Sequence, residues 1–516
     1  MPTQFQINIP AEHYQDEDYI KSFLASSQGI DLKRINKIIV RKKSVDARGR
    51  VVKMVVSLDA WIDEIFEPES DFIPEFKNVK NEEEVYIIGA GPAGYFAALK
   101  LLELGKKPII IERGKDVRAR RRDLAAITKE HSVNTESNYC FGEGGAGTYS
   151  DGKLYTRSDK RGDVKKILDL FIYFGASPDI GIDAKPHIGT NKLPEIIQKI
   201  RECILSFGGE VHFEKRLDDF DVQFDAIQSI TLNGSEKINT KKMILATGHS
   251  SRMIFEMLER KNILLEAKPF ALGVRAEHPQ SLIDAAQYHC KTRPEYLPAA
   301  YYSFVSQELE RGVYSFCMCP GGIIAPCATS PGEIVTNGWS PSKRNNPYAN
   351  SGIVVEIRME DLIKFGVKPG PLMAMQFQQM VEQTACNVAG GTQTAPAQRL
   401  VDFTEGKTSS SLPDCSYTPG VVSTDLKTVL PDFVSKRLKT GFKSFGKKMP
   451  AYFTNEAILV APESRTSSPV KIPRDPKSLQ HPQVSGLMPC AEGAGYAGGI
   501  ISAAIDGINC AACSIL

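Results

Sequence analysis

The sequence predicts an α/β fold in which one domain is assembled from two separated parts of the chain. A buried strand, a glycine-rich turn, an amphipathic helix and a second buried strand follow one another from Val85 onwards. The last fifty residues return to the same strand, glycine-rich turn and helix. The long stretch between these parts mixes short strands and two helices with many Gly and Pro turns. This order predicts a parallel sheet interrupted by an inserted, mainly β domain.

The chain divides into four predicted segments. Residues 1–80 read as a small α+β module with a strand at 3–9, a helix near 16–26 and two strands joined near 46–49. An acidic, proline-containing stretch separates this module from the rest. We expect the sheet domain to comprise 81–260 and 466–516, with the inserted domain at 261–465. Such an insertion is expected to carry the substrate.

Composition restricts the function classes only weakly. The 516 residues carry 63 basic and 61 acidic side chains, so net charge gives no reason to expect nucleic acid or membrane partners. Eleven cysteines in a large chain are typical of reduced thiols in the cytoplasm. No apolar stretch of membrane-spanning length and no secretory leader is evident. We therefore expect a cytoplasmic protein with a small-molecule substrate. The oligomeric state is left open.

The segment VYIIGAGPAGYFAALKLL carries the strongest motif, a GxGxxG between a predicted strand and helix. Gly89 allows the tight turn, Gly91 lets the backbone approach a pyrophosphate, and Gly94 lets the helix pack on the strand. Pro92 and Ala93 open the helix, whose free amides favour phosphate. The motif predicts a Rossmann-like nucleotide site, and an ordinary glycine-containing helix entry is the alternative.

The second strand of this unit ends at an acidic residue. Glu112 is placed to accept hydrogen bonds from a ribose diol, and an acid here disfavours a 2′-phosphate. Arg113 follows it and is expected near the adenosine.

The carboxyl terminus distinguishes FAD from NAD, which the glycine motif alone does not. GLMPCAEGAGYAGGI presents a short strand, Glu492, several glycines and a helix that starts near Gly499. The acid can hydrogen-bond ribityl hydroxyls. The helix start can stabilise charge at flavin N1 and the C2 carbonyl. FAD is therefore the predicted cofactor, with a purely structural glycine-rich helix as the alternative.

Two further segments are expected to touch the cofactor. The loop 141–153, FGEGGAGTYSDGK, has the backbone freedom to lie against a flat or anionic group. The turn ATG that follows the strand near residue 244 lets the chain pass close to the cofactor. The predicted FAD contacts from these two segments and the helix at the carboxyl end are Gly144, Gly145, Gly147, Thr148, Ala246, Thr247, Gly248, Glu492, Gly493, Gly499 and Ile500.

These pieces together resemble the FAD half of glutathione-reductase-type flavoproteins. No second GxGxxG occurs between 260 and 465, so a separate nicotinamide-binding domain is not expected. More closely, FGEGGAGTYSDGKLYTR, KPFALGVRAEHPQ, SFCMCPGGIIAP, YANSGIVVEIR and AEGAGYAGGI resemble a bacterial family of largely uncharacterised FAD-dependent dehydrogenase-like proteins, over nearly the whole chain. The resemblance implies FAD and places loop 141–153 along the pyrophosphate and flavin ring. It does not name a substrate.

Catalytic residues are not identified by the sequence. Lys153 could approach the flavin ring and His187 is another weak candidate, although a solvated lysine and a structural histidine are the alternatives. Asp151 and Arg275 are expected in structural salt bridges. Cys317 and Cys319 form a CxC pair whose short spacing disfavours a redox disulfide and favours free, buried thiols. No metal site is predicted.

The sequence favours an FAD-dependent oxidoreductase that transfers a hydride from an unknown small substrate to flavin N5. The partner that reoxidises the flavin is left open. One alternative is an NAD(P)H-using flavin reductase or monooxygenase. Another is a flavin-bearing RNA-binding or sensory protein, because residues 31–53 carry nine basic side chains against two acids. That stripe lacks the exposed aromatic residues of single-strand binders, so nucleic acid is disfavoured.

Overall fold

The computed structural model describes residues 1–68, 70–155 and 162–515. The last two letters of FGEGGAGTYSDGKLYTR lie outside these residues. The described strands are β1 (Thr3–Pro10), β2 (Ile35–Asp46), β3 (Lys53–Ile62), β4 (Glu84–Ile88), β5 (Lys107–Ile111), β6 (Glu210–His212), β7 (Leu217–Gln223), β8 (Ala226–Leu232), β9 (Glu236–Asn239), β10 (Met243–Leu245), β11 (Glu266–Ala267), β12 (Phe270–Pro279), β13 (Val305–Glu308), β14 (Arg311–Cys319), β15 (Ile323–Pro326), β16 (Thr336–Trp339), β17 (Tyr348–Ile357), β18 (Ala395–Arg399), β19 (Val421–Ser423), β20 (Ile458–Glu463), β21 (Val470–Lys471) and β22 (Leu487–Pro489).

The described α-helices are α1 (Glu17–Gln28), α2 (Pro92–Leu104), α3 (Val117–Glu130), α4 (Val164–Tyr173), α5 (Leu193–Ser206), α6 (Arg252–Arg260), α7 (Gln280–Tyr288), α8 (Met359–Lys364), α9 (Met373–Val388), α10 (Leu400–Glu405), α11 (Asp432–Lys448) and α12 (Ile500–Ser514). None of the described helices is long and apolar enough to cross a membrane.

A five-stranded parallel sheet organises the part of the protein that carries the GxGxxG motif. Its order is β22-β10-β4-β5-β6, and every neighbouring pair is parallel. Four strands come from the first part of the chain and β22 comes from its last fifty residues. The fold is thus mixed α/β with a parallel sheet, as predicted. The boundaries at residues 80, 260 and 465 stay predictions.

Two helices lie against each other beside this sheet. Helix α2 is buried almost all round, with Tyr95 and Phe96 nearly inaccessible. Helix α12 packs on it where Gly507 meets Ala93. A Cβ atom at Gly507 would lie 2.1 Å from the Ala93 carbonyl oxygen, so only glycine allows this close crossing. The crossing brings the amino ends of both helices to one edge of the sheet.

The rest of the chain forms a second body of strands and helices. A seven-stranded sheet has the order β13-β14-β17-β12-β20-β18-β19. The amino-terminal sheet β1-β3-β2 is continuous with it through one apolar cluster that includes Ile9, Val56, Phe270 and Val355. The predicted insertion holds five described helices, α7 to α11, rather than two. Helices α8 and α10 have only six residues, which is too few for a periodic signal.

The turns at the carboxyl edge of the parallel sheet are held together by Glu112. Its Oε2 atom accepts the Ala90 amide at 2.9 Å, and Oε1 accepts the amides of Gly114 at 2.8 Å and Gly142 at 2.9 Å. The side chain is buried. One carboxylate therefore joins the turn after β4, the turn after β5 and the glycine-rich loop.

We predict that Glu112→Gln lowers the free energy of unfolding by about 1–3 kcal/mol, because an amide NH₂ would face a backbone donor in a buried place. Urea unfolding in saturating FAD, followed by circular dichroism, measures the change. Glu84→Gln is the matched control. Glu84 lies at the opposite end of the same sheet and forms a half-exposed pair with Lys107, so its loss should cost less than about 1 kcal/mol. Equal losses in the two variants would contradict the bracing role of Glu112.

Candidate functional site

One cavity runs along the carboxyl edge of the parallel sheet. Most of the residues predicted to contact FAD line it, although they come from five separate segments. They are Gly89, Gly91, Pro92, Ala93, Glu112, Arg113, Gly145, Gly147, Ala246, Thr247, Gly248, Glu492, Gly499 and Ile500. Ligands of open α/β sheets bind at this edge, where the strand order allows a crevice.

The three glycines of the GxGxxG turn have different surroundings. Gly89 has φ +110°, and a Cβ atom there would lie 2.4 Å from the Ala246 carbonyl oxygen. A Cβ atom at Gly94 would lie 1.9 Å from the Gly89 carbonyl oxygen. At Gly91 it would meet no protein atom within 4 Å. Gly89 and Gly94 are therefore required for the turn and for packing, whereas Gly91 leaves open space in the cavity wall.

The amino ends of α2 and α12 both open into this cavity. Their N-cap residues are Gly91 and Gly499, and neither end has a side-chain cap. Uncapped helix amides and the helix dipole attract anionic groups. The two helix ends, together with the open space beside Gly91, fit a dinucleotide that presents its diphosphate to α2 and a polar ring edge to α12.

The end of the cavity beside Arg113, where adenosine is expected, was predicted only in part. The Arg113 guanidinium lies 4.1 Å from the centre of the Phe141 ring and pairs with Glu136. Lys215 and Arg216 also line this end, and the sequence interpretation missed them. They lie in the turn between β6 and β7, at the carboxyl end of β6, so the rule that ligands bind at the carboxyl ends of parallel strands would have found them.

At the other end, the Glu492 carboxylate faces His249. The His249 Nδ1 atom lies 3.5 Å from Glu492 Oε2. Both side chains line the cavity. Burial lowers the pKa of nearby Lys268, although the Glu492 charge opposes the shift. This end thus carries a carboxylate that can accept hydrogen bonds from hydroxyl groups.

Four of the predicted contact residues lie behind the cavity wall. Gly94 packs on the turn of Gly89, as described above. Gly144 has φ +77° and donates its amide to the Ala90 carbonyl. Thr148 donates its hydroxyl to the Glu143 carbonyl, and Gly493 lies against Gly248. The structure gives these residues packing positions.

The two weak catalytic candidates are separated by the structure. Lys153 lines the cavity, whereas His187 does not. The His187 Nε2 atom lies 3.0 Å from the Ser342 carbonyl oxygen, and burial lowers the pKa of His187 to about 4. The backbones of the two residues meet in an isolated bridge. The His187 ring faces a backbone carbonyl, which fits the structural alternative, and its catalytic role stays a prediction.

Asp151 and Arg275 form the predicted salt bridges. The Asp151 carboxylate accepts Arg344 at 2.6 Å, and the fully buried Arg275 guanidinium pairs with Glu463 at 3.0 Å. The basic run after Glu112 includes a fully buried side chain. Its Arg120 is fully buried in α3 and donates to three backbone carbonyls.

The far wall of the cavity comes from the second body of the fold. Phe316, Cys317, Asn337 and Arg465 line it. Cys317 and Cys319 are free thiols, as predicted, but Cys317 is only half-buried because it faces the cavity. The cavity thus lies between the parallel sheet and the second body.

Among the residues that the structure describes, one group of potential metal ligands occurs away from this cavity. Cys490, Asp506 and Cys510 have ligand atoms within 4.8 Å of one another. The Arg474 guanidinium donates to Asp506 at 2.7 and 2.8 Å and lies 3.6 Å from the Cys510 sulfur. Because this cation already neutralises the cluster, the geometry does not favour a metal ion.

Solved flavoenzyme structures are similar to this chain only at low sequence identity and low TM-score. An L-amino acid deaminase from Proteus vulgaris is 12% identical, over 87% of this chain and 96% of its own, with a TM-score of 0.31. A flavocytochrome c3 fumarate reductase is 12% identical, over 84% and 77% respectively, with a TM-score of 0.32. The flavin-dependent halogenase CmlS is 15% identical over 60% of this chain, with a TM-score of 0.27, and about half of its length (48%) is covered.

Two family descriptions match the chain directly. Residues 269–466 match the FAD-dependent protein, C-terminal domain-like family, and residues 1–61 match a domain of unknown function. The first match agrees with the sequence prediction, and FAD is the cofactor.

A relative from Clostridium beijerinckii (strain ATCC 51743 / NCIMB 8052), described as an uncharacterized protein, is 40% identical over 98% of this chain and 97% of its own length. The chain therefore belongs to the same family as this clostridial protein.

Proposed function

We propose that the protein is an FAD-dependent oxidoreductase in which a hydride passes between a small substrate and flavin N5. The observation that carries this proposal is one cavity with two uncapped helix ends on one side and side chains of the second body on the other. The first side provides the cofactor contacts. The second leaves room for a substrate beside them.

The residues of the first side have distinct proposed tasks. The amides at the start of α2 would bind the diphosphate. Glu112 would accept a ribose hydroxyl while it holds three backbone amides. Glu492 would accept from the ribityl chain, and the start of α12 would face the flavin pyrimidine edge. FAD, when bound, supplies the two-electron chemistry.

Lys153 is proposed to act as a fixed positive charge in the substrate region. Burial lowers the pKa of Lys153. The neighbouring Cys317, Cys319 and Asp151 together raise it by more, so the net shift of the pKa is upwards. A lysine with a raised pKa is protonated at neutral pH. It can therefore donate hydrogen bonds and stabilise negative charge, but it is a poor general base.

The basic stripe of the amino-terminal module does not favour the RNA-binding alternative. Five of its side chains form ion pairs with carboxylates of the same protein, as follows: Arg34 with Asp63, Lys37 with Glu17, Arg41 with Asp59, Lys43 with Asp179, and Arg48 with Asp46. Paired charges release fewer counterions on binding a phosphate backbone. We therefore propose a small-molecule partner rather than nucleic acid.

We predict that Gly91→Leu abolishes FAD binding and leaves the fold intact. The new side chain meets no protein atom within 4 Å at its Cβ, so it projects into the cavity where the diphosphate is proposed. The ratio of flavin to protein absorbance in the purified variant measures this loss. Gly370→Leu is the matched control, because a Cβ at Gly370 also meets nothing within 4 Å and Gly370 lies outside the cavity. Stoichiometric FAD in a folded Gly91→Leu protein would refute the proposed binding mode.

We predict that neither NADH nor NADPH bleaches the bound flavin rapidly, because the sequence has no second GxGxxG between 260 and 465. Anaerobic stopped-flow absorbance at a series of nicotinamide concentrations tests this. Dithionite serves as the control that the flavin is reducible. Fast bleaching that saturates with NADH or NADPH would instead support the flavin reductase or monooxygenase alternative.

A further inference from the structure

A cysteine in the cavity wall occupies an unusual backbone position. Cys317 lies in β14 with φ +48°, in the left-handed region that non-glycine residues rarely adopt. The pairing of β14 with β17 shifts between Phe316 and Cys319, so the strand carries a bulge there. Bulges redirect side chains and are frequent beside functional sites. Here the bulge places Cys317 in the cavity wall, where it is half-buried.

The thiol of Cys317 meets an ammonium group from the opposite wall. The Lys153 Nζ atom lies 3.7 Å from Cys317 Sγ and 3.8 Å from Cys319 Sγ, and it also donates to the Met318 carbonyl. The side chain of Lys153 is 35% exposed because it borders the open cavity. A lysine held between two sulfur atoms favours the ionised form of a thiol.

The charges around Cys317 come from several elements. Cys319 lies on the same strand, Lys153 and Asp151 come from the glycine-rich loop, Arg275 from β12 and Glu463 from β20. The hydrogen bond from Cys319 lowers the pKa of Cys317 well below its usual value, and Lys153 and Arg275 lower it further. Burial and Asp151 oppose this.

We propose that Cys317 is the nucleophilic thiolate of this cavity and that it captures a small disulfide as a mixed disulfide. The substrate class is therefore a low-molecular-weight disulfide or, in the reverse direction, its thiol. A disulfide suits a flavin site because its exchange with a thiolate is reversible and its reduction takes two electrons.

The exchange step is balanced without any other reagent. The Cys317 thiolate attacks one sulfur of the disulfide, and a bond forms between Cys317 Sγ and that sulfur. The sulfur–sulfur bond of the substrate breaks, and the second half leaves as a thiolate. Lys153 stays protonated and stabilises negative charge at the reacting sulfur. Only the claim that the captured compound exchanges electrons with the flavin rests on the proposed function.

Reaction of the FAD-loaded protein with 4,4′-dithiodipyridine tests the proposal. Released 4-thiopyridone is followed over time from about pH 6 to 9, and intact mass locates the adduct. We expect one fast thiol whose rate changes little with pH in the wild-type protein, and its loss in Cys317→Ser. In Lys153→Met the fast phase should become slower. Its rate should then rise about tenfold per pH unit, as for an ordinary thiol below its pKa.

Cys203→Ser is the matched control. Cys203 is also half-buried, but its pKa is raised to about 11 by burial and it lies outside the cavity. The fast thiol should persist in this variant.

Flavin absorbance is recorded for every variant. A Cys317→Ser protein that keeps both FAD and the fast phase would overturn the inference, as would a wild-type rate that rises tenfold per pH unit. A fast Cys317 in a protein that cannot bind FAD would overturn only the proposed function.

Discussion

The carboxylate of Glu112 is the interaction on which the cofactor edge of the sheet depends. Three backbone amides donate to it, from the turn after β4, from the turn after β5 and from the glycine-rich loop. A hydrophobic contact would hold these turns together without fixing the orientation of their backbone amides. A buried carboxylate fixes that orientation as well, because an amide left without an acceptor at this depth costs free energy. These three of the segments that line the cofactor edge are therefore one hydrogen-bonded unit.

Much of this edge could be predicted because its signals are local. The roles of Gly89 and Gly94 follow from the spacing within one motif, and both show the expected close contacts. The sequence predicts Glu112, at the end of β5, as an acceptor for a ribose diol, and that role stays a prediction. Its three bonds to backbone amides were not predicted. The Gly142 amide in particular is distant in sequence, and no local pattern specifies it.

The parts that were not predicted depend on which way a side chain faces. Arg120 lies in a run of basic residues, and a charged side chain is ordinarily exposed to solvent. It shares one helix face with Val117, Leu124 and Ile127, so periodicity would have indicated burial. The direction of the His187 ring has no such signal. It depends on the Ser342 carbonyl, which tertiary folding brings from far along the chain.

The second wall of the cavity is positioned by buried charge. Arg252, at the start of α6, donates at 2.6 Å to both Glu333 and Glu382, and Arg465 pairs with the same two carboxylates. Burial raises the pKa of Glu382, but the two arginines outweigh it and lower the pKa to about 2. Each charge is therefore compensated only when α6, α9 and the segment after β20 keep their mutual positions. Arg465 lines the same wall as Cys317. The network thus fixes the part of the cavity wall that Arg465 forms.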